Sequence, residues 1–194
     1  MGQLGFYFDM TTCVGCKTCQ IACIDKNDLP LGTLFRRVEV YDFGEFPNPH
    51  FYNLVVGCNH CENPACVTAC PTGAMYKTEE GPVLHDDEIC DGCGRCVDIC
   101  PYGQPKLIPE LGVVHKCDTC ISIRQNGHNP ICVDSCFMRA LEFGDMDELR
   151  EKHKDETLVS ELPTLPSAEL THPNLLIHPN DYALEENVKF KAVQ

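Results

Sequence analysis

Apolar and polar positions alternate along this chain in short runs, not in long helical stripes. Gly5-Phe6-Tyr7-Phe8-Asp9 is an aromatic run of strand length near the start. Leu34-Phe35-Arg36-Arg37-Val38-Glu39-Val40-Tyr41 alternates enough to predict a second strand, and residues 51–57 (FYNLVVG) predict a third. Gly44, Pro47 and Pro49 mark the loop between them. Ala74-Met75-Tyr76-Lys77 and Pro82-Val83-Leu84-His85 flank Thr78-Glu79-Glu80-Gly81, which predicts a short hairpin turning at Gly81. No long stretch before residue 145 keeps a clean 3.6-residue period, so no long helix is expected there. Asp145 to Lys154 (DMDELREKHK) does predict a helix, because acidic residues come early and basic ones late, as the helix dipole favours. Beyond it, Pro163, Pro166, Pro173 and Pro179 preclude a long regular element. The last 50 residues carry eleven acidic and five basic side chains. That tail is expected to lie extended, with its apolar Leu175-Leu176-Ile177 against a partner.

Composition narrows the class. A chain of 194 residues fits one domain or two small ones. With no Trp and few long apolar runs, the expected apolar core is thin. The net charge of −14, without a basic tail, argues against nucleic acid and against an anionic membrane surface as partners. Met1 to Met10 lacks a basic start and a long apolar run, so no signal segment is expected on this chain. No apolar stretch approaches the roughly 20 residues that span a bilayer.

Cysteine changes the picture most. Sixteen cysteines fall into four sets of four: Cys13-Cys16-Cys19-Cys23, Cys58-Cys61-Cys66-Cys70, Cys90-Cys93-Cys96-Cys100 and Cys117-Cys120-Cys132-Cys136. Four thiolates are what one [4Fe–4S] cluster requires. The third set is C-x2-C-x2-C-x3-C-P, the ferredoxin run, in which three thiolates wrap one cubane and the fourth reaches the neighbouring cluster. The second set carries two extra residues in its triplet, the first lacks the trailing proline, and the fourth opens an eleven-residue loop and places Phe137 where proline would sit. Cys66-Val67-Thr68-Ala69-Cys70-Pro71-Thr72-Gly73 repeats as Cys96-Val97-Asp98-Ile99-Cys100-Pro101-Tyr102-Gly103, and Cys132-Val133-Asp134-Ser135-Cys136 echoes it. Disulfides do not need triplets at this spacing, and zinc would need paired ligands farther apart. Ligand bonds are then expected to replace part of the core, leaving the iron-free chain largely unfolded.

Other residues say less. His60 and His115 lie beside cysteines, but every set already has four thiolates, so a hydrogen bond or surface position is expected. Lys17, Arg95 and Lys116 also flank ligands, where a cation either raises a cluster potential or merely offsets charge. No catalytic constellation is evident, nor a glycine loop for phosphate.

Phe6 to Lys26 (FYFDMTTCVGCKTCQIACIDK), Cys58 to Met75 (CNHCENPACVTACPTGAM) and Cys132 to Gly144 (CVDSCFMRALEFG) resemble the four-cluster electron-transfer subunit of molybdopterin oxidoreductases. The likeness is greatest to the iron–sulfur subunits of dimethyl sulfoxide reductases, and it extends to Leu162-Pro163 and Pro173-Asn174 in the tail. The resemblance implies four [4Fe–4S] clusters. One would take Cys13, Cys16, Cys19 and Cys136, and a second Cys58, Cys61, Cys66 and Cys100. A third would take Cys90, Cys93, Cys96 and Cys70, and a fourth Cys117, Cys120, Cys132 and Cys23. Relatives lacking one cysteine of the third set hold a [3Fe–4S] cluster; Cys93 is present here.

The implied fold is α+β, with tandem bacterial-ferredoxin-like 2[4Fe–4S] units, short hairpins and helices, insertion loops and an extended C-terminal tail. Residues 1–57 with 104–144 would hold the first and fourth sets, 58–103 the second and third, and 145–194 a helix plus a partner-binding tail. The resemblance also implies a large catalytic subunit with a molybdenum or tungsten pterin cofactor, facing the first-set cluster. The fourth-set cluster would face the far end of the wire, often a quinol-oxidising membrane anchor. The chain itself would be non-catalytic and bind no substrate. It would be membrane-associated through its partners, extracytoplasmic if co-exported with the catalytic subunit and otherwise cytoplasmic. The same kind of subunit would also serve an aromatic dehydroxylase or transhydroxylase, a formate dehydrogenase or a hydrogenase. A zinc-structured interaction module and a free-standing polyferredoxin stand as rival readings behind the electron-transfer subunit.

Overall fold

The computed structural model describes residues 2–185 and 191–193. Residues 1, 186–190 and 194, which belong to the expected N-terminal stretch and tail, lie outside the described residues.

Strand β1 (Leu4–Asp9) leads into helix α1 (Thr18–Asn27). Strands β2 (Arg36–Phe43) and β3 (His50–Gly57) follow as an antiparallel hairpin, in register from Arg36 opposite Gly57 to Phe43 opposite His50. Helix α2 (Ala65–Thr68) precedes the short hairpin of β4 (Met75–Lys77) and β5 (Val83–His85). Helix α3 (Arg95–Ile99) precedes a second short hairpin, β6 (Lys106–Ile108) with β7 (Val113–His115). Helices α4 (Ile121–Arg124) and α5 (Ile131–Asp134) lead to β8 (Leu141–Asp145) and α6 (Met146–Lys152). Strands β9 (Leu175–His178) and β10 (Lys191–Val193) come last. The architecture is α+β: sheets β8-β1-β9 and β10-β2-β3, two hairpins, and short helices.

The strands expected in the first 85 residues all form, and Gly81 has φ +100° in the hairpin turn, a region open chiefly to glycine. The predicted helix at 145–154 is α6. The Asp145 carboxylate caps it by accepting from the amides of Asp147 and Glu148, and Arg150 and Lys152 end it. Helix α1 was not legible as an apolar stripe, because the residues it buries are Cys19 and Cys23, four apart on one face.

The expectation for the tail needs correction. Leu175, Leu176 and Ile177 do not await a partner; they form β9, parallel to β1, pairing with Phe6, Tyr7 and Phe8. Leu176 and Ile177 are buried. A run of three aromatic residues in β1 demands apolar cover on both faces of its sheet. Phe6 and Phe8 point into a core with Val38, Tyr52, Leu54, Leu141 and Ile177. Tyr7, on the opposite face, packs with Met146, Leu149 and Leu176. This core is broader than the composition suggested. By contrast, the core beside the second and third sets is Met75, Cys96 and Val114, with cysteines filling its margin.

Candidate iron–sulfur centres

The cysteine triplets begin in tight turns. In each set the residue just before the second cysteine adopts a left-handed conformation: Gly15 (φ +67°), His60 (φ +44°), Gly92 (φ +67°) and Thr119 (φ +57°). This turn wraps the chain round a common centre. Two of the four positions are glycine, and neither has room for a side chain. A Cβ on Gly15 would lie 2.4 Å from Asn53 Oδ1, and one on Gly92 would lie 2.2 Å from the Gly112 carbonyl. His60 and Thr119 adopt the same conformation at a cost of roughly 1–2 kcal/mol.

The last two cysteines of each set are four residues apart on or beside a helical turn: Cys19 and Cys23 on α1, Cys66 and Cys70 at α2, Cys96 and Cys100 at α3, Cys132 and Cys136 at α5. Helix α1 packs on α5, and α2 packs on α3. The first set therefore meets the fourth, and the second meets the third, although residues 28–130 intervene between α1 and α5.

The thiols gather accordingly. One cavity is lined by Cys13, Cys16, Cys19 and Cys136, with Phe8, Val14, Lys17, Val38, Val55 and Met138. Another is lined by Cys58, Cys61, Cys66 and Cys100, with His60, Pro64, Lys116, Tyr102 and Thr171. Cys96 is within electrostatic reach of Cys70, Cys90 and Cys93. Cys23 is within reach of Cys132 and Cys120, and Cys117 of Cys23.

Cys117 is also within electrostatic reach of Cys58, across the boundary between the two helix pairs. This corrects one expectation: the fourth set does not sit at a far end. It lies between the first set and the second. The exposed cysteines are Cys16 and Cys93, whereas Cys23, Cys120 and Cys132 are buried.

Thiols so placed resist ionisation. Burial, reinforced by like charge on neighbouring sulfurs, pushes Cys19, Cys23, Cys61 and Cys96 up to about 11 and Cys66 up to about 12. Burial and then Cys58 hold Cys117 well above the ordinary thiol range. At Cys70 burial also raises the value, but the Met75 amide at 3.4 Å and the Thr72 hydroxyl outweigh it. Such thiols are poor nucleophiles, and converging thiolates need a cationic core. The donor set fits iron–sulfur clusters, which supply that core and exchange single electrons.

Buried cations complete the setting. Arg36, a member of β2 that no sequence pattern singles out, is 6% exposed and lies over the Phe6 ring at 4.5 Å from its centroid. Desolvation works against its charge, but Cys132, Cys117, Cys19 and Cys23 together raise its pKa. Lys116 is buried, donating to the Val83 carbonyl and, at 2.6 Å, to that of Cys117. Lys17 stands at the start of α1 in a left-handed conformation, and Arg95 is exposed. His115 pairs with Asp87 at 2.9 Å. His60, expected to make a hydrogen bond or lie at the surface, is buried and accepts from the Val83 amide at 3.0 Å. Burial, then Lys116 and Arg36, hold its pKa well below the usual range, so it stays neutral.

Residues 50–146 match the family described as "4Fe-4S dicluster domain". The chain belongs to this family. It is 46% identical over 186 residues to the probable anaerobic dimethyl sulfoxide reductase chain YnfG of Escherichia coli K12, covering 92% of this chain and 89% of that one. It is 45% identical, with the same coverage, to the B subunit of anaerobic dimethyl sulfoxide reductase from the same organism. It is also 42% identical over 145 residues to the thiosulfate reductase electron transfer subunit PhsB of Salmonella typhi, covering 72% of this chain and 74% of that one. The chain is thus an iron–sulfur electron-transfer subunit. No helix among the described residues is long and apolar enough to cross a membrane.

Proposed function

We propose that this subunit holds four [4Fe–4S] clusters and conducts electrons to or from a molybdopterin catalytic subunit, without catalysing a reaction itself. The observation that carries this is the mixing of sets. Cys136 lines a cavity with Cys13, Cys16 and Cys19, and Cys100 lines one with Cys58, Cys61 and Cys66. The same interlocking supports a further cluster on Cys90, Cys93, Cys96 and Cys70, and a last one on Cys117, Cys120, Cys132 and Cys23.

The approach of Cys117 to Cys58 supports a wire that runs from the first-set cluster through the fourth-set and second-set clusters to the third-set cluster. Exposure of Cys16 and Cys93 supports placing the two ends there. Val14 and Met138, exposed at 56% and 37%, line the cavity at the first end and offer apolar surface for the catalytic subunit. A donor, either a membrane anchor that oxidises quinol or a soluble protein, would dock at Cys93. Both dimethyl sulfoxide reductase subunits match over nearly their whole length, which favours a catalytic partner of that kind.

Metal analysis tests the count: four cubanes require about 16 iron and 16 labile sulfide per chain. The pairing is tested by Cys136→Ser. Spectroscopy should show damage to the cluster of Cys13–Cys19, over a hundred residues upstream. Loss at Cys117 and Cys120 instead would overturn the pairing.

A further inference from the structure

The cavity of Cys58, Cys61, Cys66 and Cys100 differs from that of Cys13, Cys16, Cys19 and Cys136 in one chemical respect. Three of the residues that line it, His60, Tyr102 and Thr171, each carry a side-chain polar atom (Nε2, Oη and Oγ1) that is buried without a hydrogen-bond partner among the described residues. Their residues are 1%, 7% and 2% exposed. The other cavity is walled mainly by apolar side chains, and none of these unsatisfied atoms lines it.

Each orphan is a donor. The Val83 amide can only donate, so His60 Nδ1 accepts and the ring proton sits on Nε2. The Tyr102 phenol carries an O–H donor. The Thr171 hydroxyl is oriented as a donor toward the Tyr102 hydroxyl and the Cys61 thiol, but it closes a hydrogen bond of normal length with neither. Leaving a donor buried and unpaired costs about 1–3 kcal/mol. Three around one cavity point to an acceptor within it.

Backbone and tail hold these donors in place. His60 occupies the left-handed position that two of the other turns give to glycine. Thr171 comes from the tail, which is stitched to the cysteine loop: Glu62 donates to the His172 carbonyl at 2.8 Å and Asn63 to that of Thr171 at 3.0 Å. The Asn174 side chain donates to the His60 carbonyl at 2.7 Å.

We propose that His60, Tyr102 and Thr171 donate hydrogen bonds to the sulfurs of the cluster held by Cys58, Cys61, Cys66 and Cys100, and set its reduction potential above the value the thiolates alone would give. The proposal rests on the cluster assignment above. Donors to sulfur stabilise the reduced cluster, which carries one more negative charge, over the oxidised one. The three are positioning and tuning groups, not ligands.

The test is a redox titration of the intact cluster-loaded protein, followed by electron paramagnetic resonance. His60→Asn suits the left-handed turn and keeps an acceptor for Val83 while deleting the Nε2 donor. Tyr102→Phe and Thr171→Val each delete one hydroxyl, and they carry the test if the histidine variant fails to accumulate. In each variant one couple of the four should move to lower potential. The expected change is about tenfold in the reduced-to-oxidised ratio at fixed potential, ~59 mV for one electron. An exchangeable-proton coupling to that cluster should also weaken. Unmoved couples in variants with full iron content, or a shift spread equally over all four, would overturn the proposal. A wild-type chain without about 16 iron would instead sink the four-cluster assignment.

Discussion

Replacing Arg36 with methionine removes a buried charge while keeping most of the side-chain volume. The guanidinium is 6% exposed, stacked on Phe6, and pressed against Gly57, where a Cβ would stand 3.2 Å from Cζ. Its electrostatic neighbours are Cys19 in the first-set group and Cys132, Cys117 and Cys23 in the fourth-set group. A charge so confined cannot move away when a cluster accepts an electron. At an effective dielectric of about 20, a cation roughly 8 Å from the added electron stabilises it by about 2 kcal/mol. For a one-electron couple this is about 90 mV, since ~59 mV corresponds to a factor of ten. Anaerobic redox titration of Arg36→Met should therefore show two couples lowered by several tens of millivolts, up to about 90 mV. Arg36→Lys, which keeps the charge, should recover most of the difference. If both couples in the methionine variant stay within about 20 mV of wild type, a buried cation at this position does not tune the wire.

Three other outcomes follow from the packing and charge already described. Ile177 is 0% exposed in the main core, so Ile177→Ala should cost about 2–5 kcal/mol in anaerobic chemical denaturation; a loss below about 1 kcal/mol would mean that β9 does not anchor the tail. Lys77 donates to the Cys61 and Glu62 carbonyls, and burial lowers its pKa below the ordinary 10.5. The unfolded chain then binds more protons in the window just below pH 10.5, so stability should rise with pH there. That rise should be missing in Lys77→Met, and a constant gap between the two proteins across the window would contradict it. Finally, iron chelation followed by hydrogen exchange should strip protection from residues 58–116 before β1, β2 and β3, because the core beside those cysteines is Met75, Cys96 and Val114. Simultaneous loss would show that the β1 core cannot stand without its clusters.

Local chemistry was legible where the signal is local. Cysteine spacing announces turns and single helical turns, and the aromatic run of β1 and the Gly81 hairpin follow from strand period and turn residues. Helix α1 escaped notice because its buried face is made of cysteines, not of leucine or valine. The destination of Leu175-Leu176-Ile177 escaped because an apolar strand signals that it must be covered, not by what. The order of the thiol groups escaped because nothing in the spacing brings Cys117 toward Cys58.

The sequence by itself determined that sixteen thiols come in four sets, and that the chain turns tightly at the leading cysteines of each. Spacing along the chain governs this, because a two-residue gap leaves the backbone few ways to turn. Only the tertiary structure decided what surrounds those sulfurs. Arg36 comes from a strand, His60 from within a turn, Tyr102 from beyond a helix, and Thr171 from the tail, and none carries a local pattern that marks its role. Their effect depends on burial and on through-space charge and hydrogen bonding, which exist only once distant segments have packed together.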